Sequence, residues 1–312
     1  MSAVCPTGTW DGQAFAHEGF AFRTDQHLLD RVLPFVAEGF SRDEPVLVVA
    51  GERVRTLLAD ALGHDVTRLA TLAEAETWWR GGHATLHAYD RDLRALRAVT
   101  PSWRLVAEPV WLADDDGRDW SRFESVANRC YAELPYYSLC LHDTGRLSSP
   151  VMDAVARTHP LTWGGSAPVP TPLYENPLQF LRSVQPEWHE PPADAAVTKA
   201  VTPKEARRAA LSWVPEGWEA RVADVVLATH ELTTNALRVA AFAELAAWSE
   251  GDRLVVEVAD SGPGLPDEAA GYVPPAPDPA AGRGMWLAWS LADDVAVRTG
   301  STGTRIRLHF CR

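Results

Sequence analysis

The chain has 312 residues, 46% hydrophobic and 23% charged, enough for two domains that each bury a core, so wholesale disorder is not expected. Its formal charge of −13 sets an acidic surface against any phosphate backbone, and direct nucleic-acid binding is not expected. No stretch approaches the roughly 18 apolar residues of a membrane span. No basic region followed by an apolar run opens the chain. The four cysteines (Cys5, Cys130, Cys140, Cys311) form no CxxC pair, so a cytoplasmic protein with free thiols is expected.

In chain order, Leu28 to Gly39 has helical spacing, with Leu28, Leu29, Val32, Phe35 and Val36 on one face. The apolar run Pro45 to Ala50 follows and predicts a buried strand. Val54 to Leu62 is again helical and stops at Gly63. Trp103 to Ala107 and Tyr137 to Leu141 are further strands, with a helix between them at 119–134. Strands alternating with helices predict an α/β domain with a mostly parallel sheet over residues 1–163. Residues 164–200 hold seven prolines (Pro168, Pro170, Pro172, Pro177, Pro186, Pro191, Pro192) and are expected to form a linker, with a short helix at Asn176 to Val184.

The domain expected over residues 201–312 opens with a helical pattern that culminates in Ala220 to Ala240. There Val222, Val225, Val226, Thr229, Thr233, Ala236, Leu237 and Ala240 fall on one face. Asp224, Glu231, Asn235 and Arg238 fall on the other, the last three at i, i+4 and i+7. For that helix alone, a solvated polar face is the simpler reading. Arg253 to Ala259 then alternates as a strand and ends in Asp260-Ser261-Gly262-Pro263-Gly264, where a carboxylate meets glycines that let backbone turn closely around a planar ligand. A Pro- and Ala-rich stretch, 265–281, leads to Gly282-Arg283-Gly284, glycines that open a short helix where N–H groups can approach phosphate. A hairpin from Val295 to Phe310, turning at 300–303, closes the chain.

In this order, the boxes His230–Ala236, Asp260–Gly264, Gly282–Gly284 and Gly303-Thr304 resemble the GHKL superfamily of ATP-binding domains. The wording around them is similar to the anti-sigma serine kinases of the RsbW/SpoIIAB kind. That resemblance implies an α+β (Bergerat) fold with helices on one face of a mixed sheet, and ATP with Mg²⁺ as cofactors. By the same resemblance, Asn235 would hold Mg²⁺ and Glu231 would be the general base that polarises a seryl or threonyl hydroxyl. Asp260 would accept from the adenine amino group with Thr304 nearby; Gly262 and Gly264 would admit the base. Gly282, Arg283 and Gly284 would contact phosphates, with 265–281 as lid. Arg238 would either add a phosphate contact or pair with Asp224. Val239 and Ala240 stand where many relatives carry a His.

The implied function is an anti-sigma regulator. It would sequester a sigma factor and phosphorylate a Ser or Thr of a STAS-type anti-anti-sigma antagonist; the resemblance also implies a homodimer, a contact that the fused sensory domain could replace. The alternative is a non-catalytic ATP-dependent switch that only sequesters partners. A histidine kinase would need an upstream helical hairpin bearing a phosphoaccepting His, for which the proline-broken region before Val201 is unsuited.

His17, Pro34–Phe40, Glu44–Val48, Glu108–Trp111, Glu124 with Asn128, and Thr158-His159-Pro160 resemble a MEDS domain. This is a sensory α/β module with a RecA-like core, found fused to such ATP-binding domains in RsbA-type regulators. Cys140-Leu141-His142-Asp143 stands where the family has CPYD. The resemblance implies a small-molecule or partner signal that gates the kinase. No GxxxxGK[ST] occurs, so no active P-loop is expected. His17, Glu108, Glu124, Cys140, His142 and His159 offer ligands for a metal site, but their spacing fits no ligand pattern, and ordinary packing is the favoured expectation.

Overall fold

The computed structural model describes residues 10–71, 78–79, 81–113, 117–184, 188–267, 269–272 and 283–312. The chain divides into two units, Met1–Phe180 and Leu181–Arg312.

The first unit is built on β1 (Ala16–Phe22), β2 (Val46–Val49), β3 (Leu69–Thr71), β4 (Trp103–Ala107), β5 (Tyr136–Asp143), β6 (Leu161–Trp163) and β7 (Pro168–Pro170). The sheet order is β3-β2-β4-β5-β1-β6-β7, parallel throughout except for β7, which pairs antiparallel with β6. Its helices are α1 (Asp25–Ser41), α2 (Glu52–Leu62), α3 (Gly82–Arg97), α4 (Arg118–Cys130), α5 (Ser149–Thr158) and α6 (Pro177–Ser183, which runs past the boundary). Every residue of β2 is buried, as a strand covered on both faces requires. Helix α1 starts where the Thr24 hydroxyl accepts from the His27 amide, and it tolerates Pro34 because Leu28, Val32, Phe35 and Val36 bind it to the core.

This core also holds charge. Glu18 on β1 is fully buried, accepts from Arg31 Nε at 2.9 Å and from the Tyr137 hydroxyl at 2.6 Å. Arg104 on β4, likewise fully buried, reaches Glu44 at 2.7 Å and Glu38 at 3.0 Å. Each buried charge has a partner, which is the condition for tolerating it.

The second unit contains β8 (Ala196–Ala200), α7 (Pro203–Trp213), α8 (Val222–Ala236), β9 (Ala243–Glu250), β10 (Arg253–Asp260), α9 (Arg283–Leu291), β11 (Asp294–Gly300) and β12 (Gly303–Cys311). Thr202 and Glu205 form a reciprocal capping box that starts α7. The sheet order is β11-β12-β10-β9-β8. All four pairings are antiparallel, which corrects the expectation of a mixed sheet. Two features explain it. The packed helices α7 and α8 return the chain to the end that β8 left, where Ala243 lies opposite Ala200, so β9 runs back beside β8. Strands β10 and β11 share a direction across α9, but β12 lies between them.

The stretch 164–200 contributes to both sheets rather than running free: β7 extends the first and β8 edges the second. In β10, Leu254, Val256 and Val258 face the helices, yet Val255 and Glu257 on the opposite face are buried too. There Trp248 and Ala246 pack with Val255, and Ala195 lies against them. Arg307 stacks between Trp188 and Trp248, donates to Glu257 at 2.7 Å and also to the His189 carbonyl.

Candidate functional site

Helix α8 packs against α7, α9 and β10, so its buried stripe is wide: Val225, Ala228, Thr229, Leu232, Thr233 and Ala236. Val222 and Val226, expected inside, are only partly buried. Thr229 and Thr234 are accommodated within the helix because their hydroxyls donate to the carbonyls of Val225 and His230. Glu231 and Asn235, one turn apart, keep partly exposed side chains on the polar side.

The helix ends at Ala236, so Arg238 stands beyond it rather than on the same face at i+7. It still reaches back, donating to Asn235 Oδ1 at 3.1 Å. Its pairing with Asp224 is not formed: Asp224 is held by Arg221 at 2.7 Å. His230 turns toward α7, with Nδ1 3.1 Å from an Arg207 guanidinium nitrogen.

Two glycine segments meet α8. A Cβ on Gly284, in the first turn of α9, would fall 2.5 Å from Glu231 Oε2. A Cβ on Gly262 would fall 2.6 Å from Val239 Cγ2, just past the end of α8. The helix and its exit thus touch both turns that the sequence separates. Arg283, at the first position of α9, is exposed. Gly282 and most of the expected lid lie outside the described residues.

Asp260 ends β10 directly opposite Thr304 on β12, and strand alternation sends both side chains toward the helix-bearing face. Asp260 Oδ1 accepts from the Gly262 amide at 2.7 Å; its other oxygen has no hydrogen-bond partner among the described residues. Gly264 has φ +90 and its Cα abuts the Gly300 carbonyl, a combination that only glycine meets without strain. Thr299 was not singled out from the sequence. Its hydroxyl accepts from the Leu265 amide at 2.7 Å and lies 3.2 Å from that of Thr304, so it ties the Asp260 turn to the hairpin. Reading the hairpin register from its 300–303 turn would have found it, since Thr299 and Thr304 face each other.

A cavity of about 660 Å³ opens at the same end of the sheet. Its lining includes Glu190, Glu244, Asp260, Arg298, Thr299 and Arg305. Glu244 and Arg305 belong to the face away from the helices, and neither Glu231 nor Asn235 lines it. The cavity therefore takes residues from both faces at the strand ends, Asp260 and Thr299 from the helix side and Glu244 and Arg305 from the other, without reaching Glu231 or Asn235 on α8.

In the first unit, four of the six residues for which ordinary packing was expected converge: His17, Glu124, Cys140 and His159. Glu108 lies apart, accepting from the Gly51 amide at 3.0 Å, and burial raises its pKa. His142 is fully buried beside His159, and burial, then His17, lowers its pKa to about 3.

Residues 16–160 match the family described as MEDS, the methanogen/methylotroph DcmR sensory domain. Residues 196–310 match the histidine kinase-like ATPase domain family. No curated protein matches the chain. Among solved structures, the cytoplasmic domain of EssC is 12% identical over 46% of this chain, which spans 29% of that protein. Its TM-score of 0.29 is too low to bear on the fold. No described helix is long and apolar enough to cross a membrane. The chain is a fusion of an N-terminal MEDS domain and a C-terminal GHKL-type, histidine kinase-like ATPase domain.

Proposed function

We propose that residues 201–312 bind ATP with Mg²⁺ and act as a cytoplasmic serine/threonine protein kinase of the anti-sigma type. It sequesters a sigma factor and phosphorylates a STAS-type antagonist under control of the MEDS domain. The observation that carries this reading is the contact of α8 with both glycine segments, at Glu231–Gly284 and Val239–Gly262. Asp260 and Thr304 face the same side of the sheet as α8. The residues fit the nucleotide: Asp260 keeps a carboxylate oxygen for an amino group, Arg238 brings positive charge to Asn235, and glycine stands wherever backbone must come close.

Bound ATP would supply the γ-phosphoryl group. Asn235 would hold the cation, and Arg283 and Gly284 would meet phosphate at the start of α9. Glu231 would take the proton of the attacking hydroxyl; it makes no hydrogen bond among the described residues, so its carboxylate is available. For the MEDS domain, the parallel order β3-β2-β4-β5-β1-β6 supports a RecA-like core.

The second reading, a switch that binds ATP without transferring phosphate, shares every feature except the role of Glu231. Labelled ATP incubated with the full chain and a STAS-type protein separates the two. A kinase labels the partner, and Glu231→Ala abolishes labelling while nucleotide binding persists. Binding without labelling leaves only the switch. Absence of nucleotide binding in the wild type, with Asp260→Ala indistinguishable from it, would overturn both.

A further inference from the structure

The side chains of His17 on β1, Cys140 on β5, Glu124 on α4 and His159 just after α5 are all buried, and their ligand atoms lie within 4.8 Å of one another. Strand pairing and helix packing bring together residues up to 142 positions apart in sequence (159 − 17). His17 Nε2 is 3.0 Å from Glu124 Oε2 and 3.4 Å from Cys140 Sγ, and His159 Nε2 is 3.8 Å from Glu124 Oε2. Bonds of about 2.0–2.3 Å from a tetrahedral Zn²⁺ place its ligand atoms roughly 3.3–3.8 Å apart. The cluster is near those dimensions already.

The hydrogen-bond partners around the cluster fix which ring nitrogens face inward. Asn128 Nδ2 donates to the carbonyls of Glu124, Ser125 and Thr158, so its Oδ1 must be the atom 3.0 Å from His17 Nδ1. His17 Nδ1 therefore carries hydrogen. His159 Nδ1 lies 3.0 Å from the Val155 carbonyl and 3.1 Å from the Thr158 hydroxyl, whose own proton goes to the Ala154 carbonyl. It too must be the protonated nitrogen. With both imidazoles neutral, each turns an Nε2 lone pair toward the Glu124 carboxylate, acceptor against acceptor, at 3.0 Å for His17 and 3.8 Å for His159. Partners that hold Nδ1–H and orient the ring are the usual second layer around metal-bound histidines.

The bland alternative is a buried ion pair, with a proton on His17 Nε2 shared with Glu124. Burial opposes that charge, but Cys140 and Glu124 outweigh it and raise the His17 pKa to about 10. One proton settles one edge of the cluster. It leaves His159 Nε2, which is buried without a hydrogen-bond partner, aimed at the same carboxylate. A cation at the centre satisfies all four groups at once.

We propose that His17, Glu124, Cys140 and His159 form a binding site for one divalent transition-metal ion, with Zn²⁺ favoured by a set of two imidazoles, one carboxylate and one thiolate. About 30 Å³ of space beside His17, Glu124 and Cys140, walled by Phe15, Trp78 and Tyr136, leaves room for one water-sized further ligand.

The test uses the full chain, stripped of metal and titrated with Co²⁺ while visible absorption is recorded. One Co²⁺ per chain is expected, with a sulfur-to-cobalt charge-transfer band, and Zn²⁺ should displace it and raise the melting temperature. Cys140→Ser should remove the band, and Glu124→Gln and His159→Ala should weaken binding tenfold or more. Cys130→Ser, outside the cluster, should change neither. The wild-type titration decides even if a variant misfolds: folded wild-type chain that takes up no stoichiometric Co²⁺ overturns the site. A charge-transfer band that survives Cys140→Ser in folded protein overturns it equally.

Discussion

The Glu231 carboxylate and the Gly284 backbone are so close that a methyl group on the glycine would fall 2.5 Å from Oε2. The obstructing atom is the free end of a flexible side chain, so Gly284→Ala should displace the carboxylate rather than break the fold. Alanine also favours helix over glycine by about 1 kcal/mol. A misplacement of about 1 Å costs roughly 100-fold in a positioned reaction. The expected result is phosphoryl transfer reduced 10- to 100-fold with the melting temperature unchanged or raised. Parallel transfer and unfolding assays check it.

At Gly264, by contrast, the obstacle is backbone. The residue has φ +90 and a Cβ would run into the Gly300 carbonyl, which cannot yield without moving the hairpin. Gly264→Ala should destabilise the second unit by about 1–3 kcal/mol. It should also weaken nucleotide binding, because Leu265, the next residue, is tied to Thr299. Urea unfolding followed by tryptophan fluorescence, with nucleotide titration beside it, checks both effects.

The strands and helices of longest periodicity were legible in the sequence. The run 45–50 became β2, 103–107 became β4, and Asn176 to Val184 contained α6. The ATPase-type domain was legible too, because the signals that marked it are local: a carboxylate at a strand end, glycines at a helix start. Strands β1 and β9 were not, since charged Glu18 and Glu244 interrupt the expected apolar or alternating pattern. Glu18 is admitted only by Arg31 and Tyr137, from distant segments. Which of the six candidate ligands converge around His17 was illegible for the same reason. Sequence spacing reveals a ligand set only when the ligands share one local element, and these come from four.

Arg31→Met should expose how that buried pair works. It would leave Glu18, fully buried, with only the Tyr137 hydroxyl. An uncompensated buried charge costs about 3–5 kcal/mol. Adding Glu18→Gln should recover much of the loss, and a double-mutant cycle on unfolding free energy measures the coupling.

Stability should also depend on pH through His83 on α3. Burial, then the nearby His87, lowers its pKa to about 4. In the unfolded chain it titrates near its ordinary value of about 6.5. Between those values the unfolded state binds more protons, so the contribution of His83 is complete above about pH 6.5 and is lost as pH falls toward 4. The urea midpoint should drop from pH 7 to pH 5, and His83→Gln should make that drop smaller. An equal drop in both proteins would contradict the assignment.

The stacking of Arg307 between Trp188 and Trp248 decides where the ATPase-family half can be cut free. A fragment starting at residue 196, where the ATPase-family match begins, would lack Trp188 and Ala195 and would bare Trp248, Ala246 and Val255 to water. Uncovered apolar area on a sheet face invites self-association. An excised ATPase half that stays monodisperse should therefore begin upstream of Trp188.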